Sequence, residues 1–235
     1  MMKSAARWAR VLAVVLIPFP ALAQGPTVVE LFTSQGCSAC PPAAAFLGEL
    51  AKRQDVLALA FHVDYWDYIG WKDPYADPSH TRRQRDYSGK LGLRYVFTPQ
   101  MVVQGASSAT GSDQTAVLGL IGRDRGQDRL EVTLSRDPSG LVTVSLPASP
   151  EAEEADIWLA FYDREHVTAV RRGENSGRTL RNFNVVRKLV RIGSWRGEAM
   201  DFPIRVMSEG DACAVLVQSV RTGRILGAAS QALDN

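Results

Sequence analysis

The sequence predicts an α/β domain over about residues 24–122, followed by an all-β, sandwich-like domain over 128–235. Three observations predict this. Residues 27–61 read as strand, helix, strand. From Leu130 onward the apolar period changes to two. The polar stretch 123–129 (RDRGQDR) separates the two grammars. At 235 residues, 46% hydrophobic and 22% charged, the chain can bury a core, and a disordered, collagen-like or multi-span membrane protein is excluded.

Ahead of these elements, Lys3, Arg7 and Arg10 precede an apolar run over 11–17 and the ending Pro18-Phe19-Pro20-Ala21-Leu22-Ala23. A basic start, a short apolar run and an A-x-A ending predict a secretory signal peptide over residues 1–23. The run is too short for a membrane span. The expected mature protein is exported, periplasmic or secreted, and its cysteines meet an oxidising compartment. Losing those three basic residues leaves 24 of the 27 Lys and Arg against 25 Asp and Glu. The mildly basic balance therefore belongs to the leader.

In the first domain, residues 27–32 (TVVELF) are β-branched and aromatic, which suits a strand. Residues 56–61 (VLALAF) form an unbroken apolar run, the pattern of a central strand covered on both faces. Ala43, Phe46, Leu47 and Leu50 fall on one face of the helix between them. Residues 79–92 read as a polar helix and 100–103 as a short strand. Ser112 or Asp113 caps a third helix running to about Ile121. In the second domain, residues 130–134, 141–146, 157–162, 185–192, 212–220 and 224–230 read as strands. Asp137-Pro138-Ser139-Gly140 and Thr222-Gly223 supply hairpin turns.

The chemistry lies at Cys37-Ser38-Ala39-Cys40. Two cysteines separated by two residues can close a disulfide, Cys37–Cys40, within one helical turn. They follow a strand and a turn (Ser34-Gln35-Gly36) and precede an amphipathic helix. Pro41-Pro42 places the pair at or just before that helix's N-terminus, where partial positive charge favours a thiolate. Cys37 is the expected nucleophile, its sulfur the more exposed, and Cys40 the resolving thiol. His62-Val63-Asp64-Tyr65-Trp66 ends the central strand on the same sheet edge, where ligands meet open α/β sheets. Five aromatics at 65–75 read either as a docking surface, with Tyr65, Trp66 and His62 as substrate contacts, or as a small core under a long loop.

Strand, C-x-x-C, helix, strand and a later Thr98-Pro99 resemble the thioredoxin-like superfamily. The resemblance implies that Pro99 is a cis-proline facing the disulfide, with Thr98 beside it pairing with substrate. It also implies that Glu30 is a buried acid helping to deprotonate Cys40. More narrowly, VELFTSQGCSACPP, HVDYWDYIGWKDP, TRRQRDY and YVFTPQMVVQG resemble a family of secreted bacterial proteins of no established function. That family pairs a thioredoxin-like domain with a C-terminal β-rich domain. GENSGRTL and ACAVLVQ extend the likeness into the second half.

The activity expected is thiol–disulfide exchange on envelope proteins or small thiols, with a redox partner and no cofactor. A non-catalytic envelope binding module, an inert structural disulfide and periplasmic copper handling remain alternatives. Zinc lacks its second C-x-x-C, and no bound metal is assigned. No nucleic-acid motif appears. Cys213, in an apolar run, reads as a buried spectator. Residues 171–196 carry eight Lys/Arg, and Glu151, Glu153, Glu154 and Asp156 form an acidic loop. These read as solvated faces, paired with each other.

Overall fold

Three short apolar runs become fully buried strands: β1 (Thr27–Thr33), β2 (Val56–His62) and β3 (Gln100–Val103). A computed structural model of the protein describes residues 25–205 and 210–233. The leader expected over 1–23 lies outside the described residues. β1 and β2 are parallel, in register from Thr27↔Val56 to Thr33↔His62, and helix α1 (Pro41–Leu50) makes the crossover between them. Helix α2 (Pro78–Lys90) precedes β3, which runs antiparallel to β1 and pairs with β4 (Ser107–Thr110). Helix α3 (Gln114–Asp124) starts at Asp113, whose carboxylate accepts from the Ala116 N–H. α1 and α3 cover one face of these strands, packing Leu47 and Ile121 among Val29, Leu31, Ala58, Met101 and Val103.

The rest of the chain corrects the two-domain expectation: among the described residues there is no separate all-β C-terminal domain. β7 (Ala155–Ala169), β8 (Thr179–Trp195), β10 (Ala212–Ser219) and β11 (Ile225–Ala232) continue the first sheet. The order is β11-β10-β7-β8-β2-β1-β3-β4, one mixed sheet of eight strands. β5 (Thr133–Arg136), β6 (Leu141–Leu146) and β9 (Met200–Arg205) form a small antiparallel sheet. Eleven strands against three α-helices make the described chain β-rich.

Burial supplies the physical reason. The face of β1, β2 and β3 turned away from α1 and α3 carries Val28, Phe32, Leu57, Leu59, Phe61 and Val102. α2 is largely polar and contributes only Tyr87 to that core. An apolar face of this size has to be covered, and Ala160, Tyr162, Val186, Ala214, Leu216 and Ala228 of the later strands cover it. The halves also share main-chain pairing. β8 meets β2 in parallel at Ala60↔Val185. Beside that point Asn184, at φ 46°, donates its side-chain amide to Ala58 O (2.8 Å). The other face of β7 and β10 packs on the small sheet, with Ile157, Trp195, Cys213, Val215 and Val217 between them.

The predicted strands are found with altered limits. β7 and β8 are longer than the sequence suggests because their charged stretches pair with each other as the two arms of a hairpin. β9 has no clear sequence signal. It contains Pro203, which an edge strand tolerates because one side of its backbone is unpaired. The acidic and basic patches meet in ion pairs, Arg191 with Asp156 (2.7 Å) and Arg196 with Glu154 (3.0 Å). Among the described residues no helix is long and apolar enough to cross a membrane.

A polar network crosses the shared core. Glu30 on β1 accepts from Arg83 Nε (2.7 Å) and from the Tyr87 hydroxyl of α2. Arg83 Nη1 donates to Gln218 Oε1 of β10 (3.0 Å) and Nη2 to the Tyr87 oxygen (2.9 Å). Burial raises the Tyr87 pKa well above its ordinary value, so the phenol keeps its proton for Glu30. Breaking one side of this pair leaves a buried charge alone. Glu30→Gln is expected to destabilise the protein by about 3–5 kcal/mol. Glu30→Gln with Arg83→Met should lose less than the sum of the two single variants, read by urea unfolding; additive losses would deny the coupling.

The halves meet again where the β3–β4 turn touches the β10–β11 turn. Ile225 N–H donates to Gln104 O (2.9 Å), and the Gln104 side chain bridges the Val28 N–H and Ile225 O. Gly105 has φ +62°, and a Cβ there would lie 2.1 Å from Gly223 O. A backbone carbonyl cannot step aside as a side chain can. Gly105→Ala should therefore cost about 3 kcal/mol or more in urea unfolding, against near neutrality for the open position Gly122→Ala.

Candidate functional site

β1 ends at Thr33, and the chain turns through Ser34-Gln35-Gly36 into the C-x-x-C. Cys37 N–H donates to Ser34 O and Cys40 N–H to Cys37 O, both at 3.2 Å, so successive tight turns bring the two cysteines together. A disulfide joins them, with Cα atoms 5.4 Å apart. Cys40 is the N-cap of α1, and Pro41 and Pro42 open the helix, where their missing N–H groups break no helical bond. Gly36 is set by close packing. A Cβ there would come within 3.1 Å of Trp66 Cβ and 3.2 Å of Ile69 Cδ1.

The Thr98–Pro99 peptide bond is cis, and Thr98 O lies 3.8 Å from Cys37 Sγ. Thr98 Oγ1 accepts from Trp66 Nε1 (2.8 Å), so Trp66, Thr98, Pro99 and the disulfide form one group. Tyr65 is half-buried and packs against the shared core beside Trp66. The aromatic segment mostly turns inward: Trp71 Nε1 donates to Gln35 Oε1 (3.1 Å), and Tyr75 stacks on His166. Tyr68 alone of the five is largely exposed.

His62 is fully buried at the end of β2, with Nδ1 2.7 Å from Asp73 Oδ2. The same oxygen accepts from the Gln35 N–H (2.7 Å), so one carboxylate fastens both the end of β2 and the loop leading to Cys37. Burial pushes the Asp73 carboxyl up; His62 and the N–H groups of Gln35 and Tyr75 more than offset this and hold it below its ordinary value. Burial pushes the His80 imidazole down to about 4. It stays neutral and donates from Nδ1 to His62 O (2.9 Å).

The later half of the chain completes the site. Between β7 and β8 the loop over 170–178 lies on the C-x-x-C. Asn175, fully buried, donates its amide to both Gln35 O and Cys37 O at 2.9 Å. Glu174 accepts from the Ser38 N–H (3.0 Å), and Gln35 Nε2 donates to Thr168 Oγ1 (3.0 Å). This cover leaves both cysteines buried. Cys37 is 1% exposed and Cys40 2%. Glu30 differs from the role the resemblance implies. It lies on the face of β1 with Val28 and Phe32, opposite the one α1 covers, and Arg83 and Tyr87 occupy its carboxylate. Strand alternation decides this, because Val29 and Leu31 take the α1 side.

Asn175, Glu174, Asp73 and Gln35 escaped sequence reasoning. The GENSGRTL run carries part of the family likeness, but its contact with a loop more than 130 residues away has no local signature. Among the described residues no group of three or more His, Cys, Asp and Glu could hold a metal. Asn175→Ala removes a donor from two carbonyls, leaving Cys37 O with only the Cys40 N–H. It should cost about 1–3 kcal/mol in urea unfolding and speed reduction of the folded protein's disulfide by dithiothreitol. An unchanged rate would deny the loop a part in covering the sulfurs.

The fold is similar to two solved structures. The crystal structure of protein AGR_C_4864 from Agrobacterium tumefaciens is 28% identical, with a TM-score of 0.80, covering 92% of this chain and 97% of that one. HBP35 of Porphyromonas gingivalis shares the fold at 14% identity and a TM-score of 0.59, covering 90% of this chain and 76% of that one. No curated protein matches the chain. Residues 28–218 match the family described as Protein of unknown function (DUF1223), and the chain belongs to that family.

Proposed function

We propose that this protein is an exported, periplasmic thiol–disulfide oxidoreductase working through Cys37 and Cys40 on envelope proteins or small thiols. The observation that carries the reading is Thr98 O, next to a cis-proline, 3.8 Å from the sulfur of a C-x-x-C at a helix N-terminus. That arrangement supports the likeness of the site to the thioredoxin-like superfamily. A disulfide so placed accepts two electrons from a substrate dithiol, or its reduced pair gives them to a substrate disulfide, through a mixed disulfide in both directions. Pro99 and Thr98 flank the reacting sulfur and present the partner. Trp66 is a positioning residue, acting through its bond to Thr98.

One observation favours the rival reading, a structural disulfide in a non-catalytic envelope module: both cysteines are buried. Equilibration of the folded protein with dithiothreitol redox buffers separates the two. An exchange catalyst should give a reversible two-electron transition with a potential between about −120 and −270 mV. It should also oxidise a reduced dithiol peptide in a single turnover, and Cys37→Ser and Cys40→Ser should each abolish that turnover. A disulfide reduced only when urea unfolds the chain would establish the structural reading instead.

A further inference from the structure

The β7–β8 hairpin neutralises its basic residues along both arms and stops doing so at its tip. Arg181 pairs with Glu165, Arg187 with Asp163, Arg191 with Asp156 and Arg196 with Glu154. Arg171 and Arg172, in the loop over 170–178, are exposed and make no ion pair among the described residues. Exposed Lys72 likewise makes none. The loop is closed at its neck, where Val170 N–H donates to Arg178 O and Gly177 N–H to Val170 O, both at 2.9 Å. That neck holds the tip over the C-x-x-C.

Ile69 brings these cations to one surface. A Cβ at Gly173 would lie 3.4 Å from Ile69 Cδ1 and 3.2 Å from Trp71 Cβ, and a Cβ at Gly36 would lie 3.2 Å from the same Ile69 atom. The hairpin tip, the segment over 67–72 and the turn before Cys37 therefore meet at one side chain. Lys72 follows Trp71, Arg172 precedes Gly173, and Tyr68, 83% exposed, precedes Ile69. The acids here are engaged by main-chain donors: Glu174 by the Ser38 N–H (3.0 Å) and Asp67, which Lys72 approaches without an ion pair, by the Asp73 N–H (3.1 Å). Glu174 is itself exposed, so a carboxylate of a docked chain can take its place on Ser38. Over residues 24–235, 24 Lys and Arg face 25 Asp and Glu, so this cationic surface is local to a chain of balanced charge.

We infer that Lys72, Arg171, Arg172 and Tyr68 form a docking surface for an acidic polypeptide, the part of a protein substrate that flanks its reactive dithiol. The inference rests on the redox reading of the pair. Both sulfurs lie buried beneath the 170–178 loop, so a chain bound to that loop is placed to displace it. Unpaired cations beside an exposed tyrosine are what an acidic chain recognises, and such charges act mainly on the rate of encounter. Once docked, one substrate thiolate attacks Cys37 Sγ and forms an S–S bond as the Cys37–Cys40 bond breaks, the electron pair going to Cys40 Sγ. The second substrate thiolate attacks the substrate sulfur of the mixed disulfide and releases Cys37. The substrate leaves as a disulfide, and the protein holds its two electrons and, through solvent, its two protons.

The test uses oxidised, folded protein and two synthetic peptides with the same Cys-Gly-Gly-Cys centre, one flanked by glutamates and the other by lysines. Each rate of reducing the protein is divided by that peptide's rate with bis(hydroxyethyl) disulfide, which removes the effect of the flanking charges on its own thiols. At about 20 mM salt the acidic peptide should react about fivefold faster than the basic one, and at about 500 mM salt within about twofold of it. Arg171→Gln with Arg172→Gln should abolish most of the low-salt preference. Arg123→Glu changes the total charge equally, beside Asp124, which bonds Thr27 at the other end of β1, and should leave the preference in place. A basic peptide that reacts as fast, or a preference unmoved by the double variant or moved equally by Arg123→Glu, overturns the inference and leaves the redox reading standing. Binding to phosphatidylglycerol vesicles that the double variant loses, with the two peptides reacting alike, overturns it in favour of an anionic membrane surface. Failure of dithiothreitol to reduce the folded protein removes both readings together.

Discussion

Arg83 places a guanidinium in the protein interior, and the other elements are arranged around meeting its demands. Its Nε, Nη1 and Nη2 donate to Glu30, Gln218 and Tyr87, and its Cζ lies 5.6 and 5.7 Å from the Phe61 and Trp158 ring centroids. Those five partners come from β1, β10, α2, β2 and β7. A buried charge is tolerable only when its donors are met, so the five elements have little freedom to move independently. β1 leads into the loop that carries the cysteines, and β2 ends in His62. The network thus fixes the two strand ends between which the candidate site is assembled, although none of its members touches a sulfur.

The site itself is composite. The first half of the chain supplies the disulfide, the helix N-terminus, the cis-proline and the Asp73 clamp. The second supplies Asn175 and Glu174, carried on a hairpin whose arms are 15 and 17 residues long. Because Asn175 bonds the carbonyls of Gln35 and Cys37, the loop geometry around the sulfurs is complete only after β8 has docked beside β2. Whatever chemistry the pair performs belongs to the assembled sheet rather than to the N-terminal segment alone.

Local features were legible in the sequence, and long-range ones were not. The strand–helix–strand unit, the position of the C-x-x-C before Pro41-Pro42 and the Asp113 cap follow from short-range rules, and the chain obeys them. The error lay in treating a change of period as a domain boundary. Residues 163–168 (DREHVT) look unlike a strand, yet they pair with β8 because a two-stranded arm exposes both faces to water. A sign of the true arrangement was available. β10 is apolar from Ala212 to Val217 and buried at every position, the same grammar as β2, and a sandwich strand with one wet face would alternate. Glu30 illustrates a subtler limit. Its place in the first strand resembles a known role, but the parity of the strand sends its carboxylate to the opposite face.

Three cysteines permit three pairings, and the fold leaves room for one. Cys213 lies fully buried between the two sheets, where burial also raises its thiol pKa and so suppresses the nucleophilic thiolate. Cys37 and Cys40 are joined at the N-terminus of α1, outside the cluster that holds Cys213. Opening and reclosing their bond therefore carries no pairing error so long as the strands around Cys213 stay closed. The spare thiol is insulated by geometry and by acidity at once, so the one disulfide of the described residues has no neighbouring thiol with which to scramble.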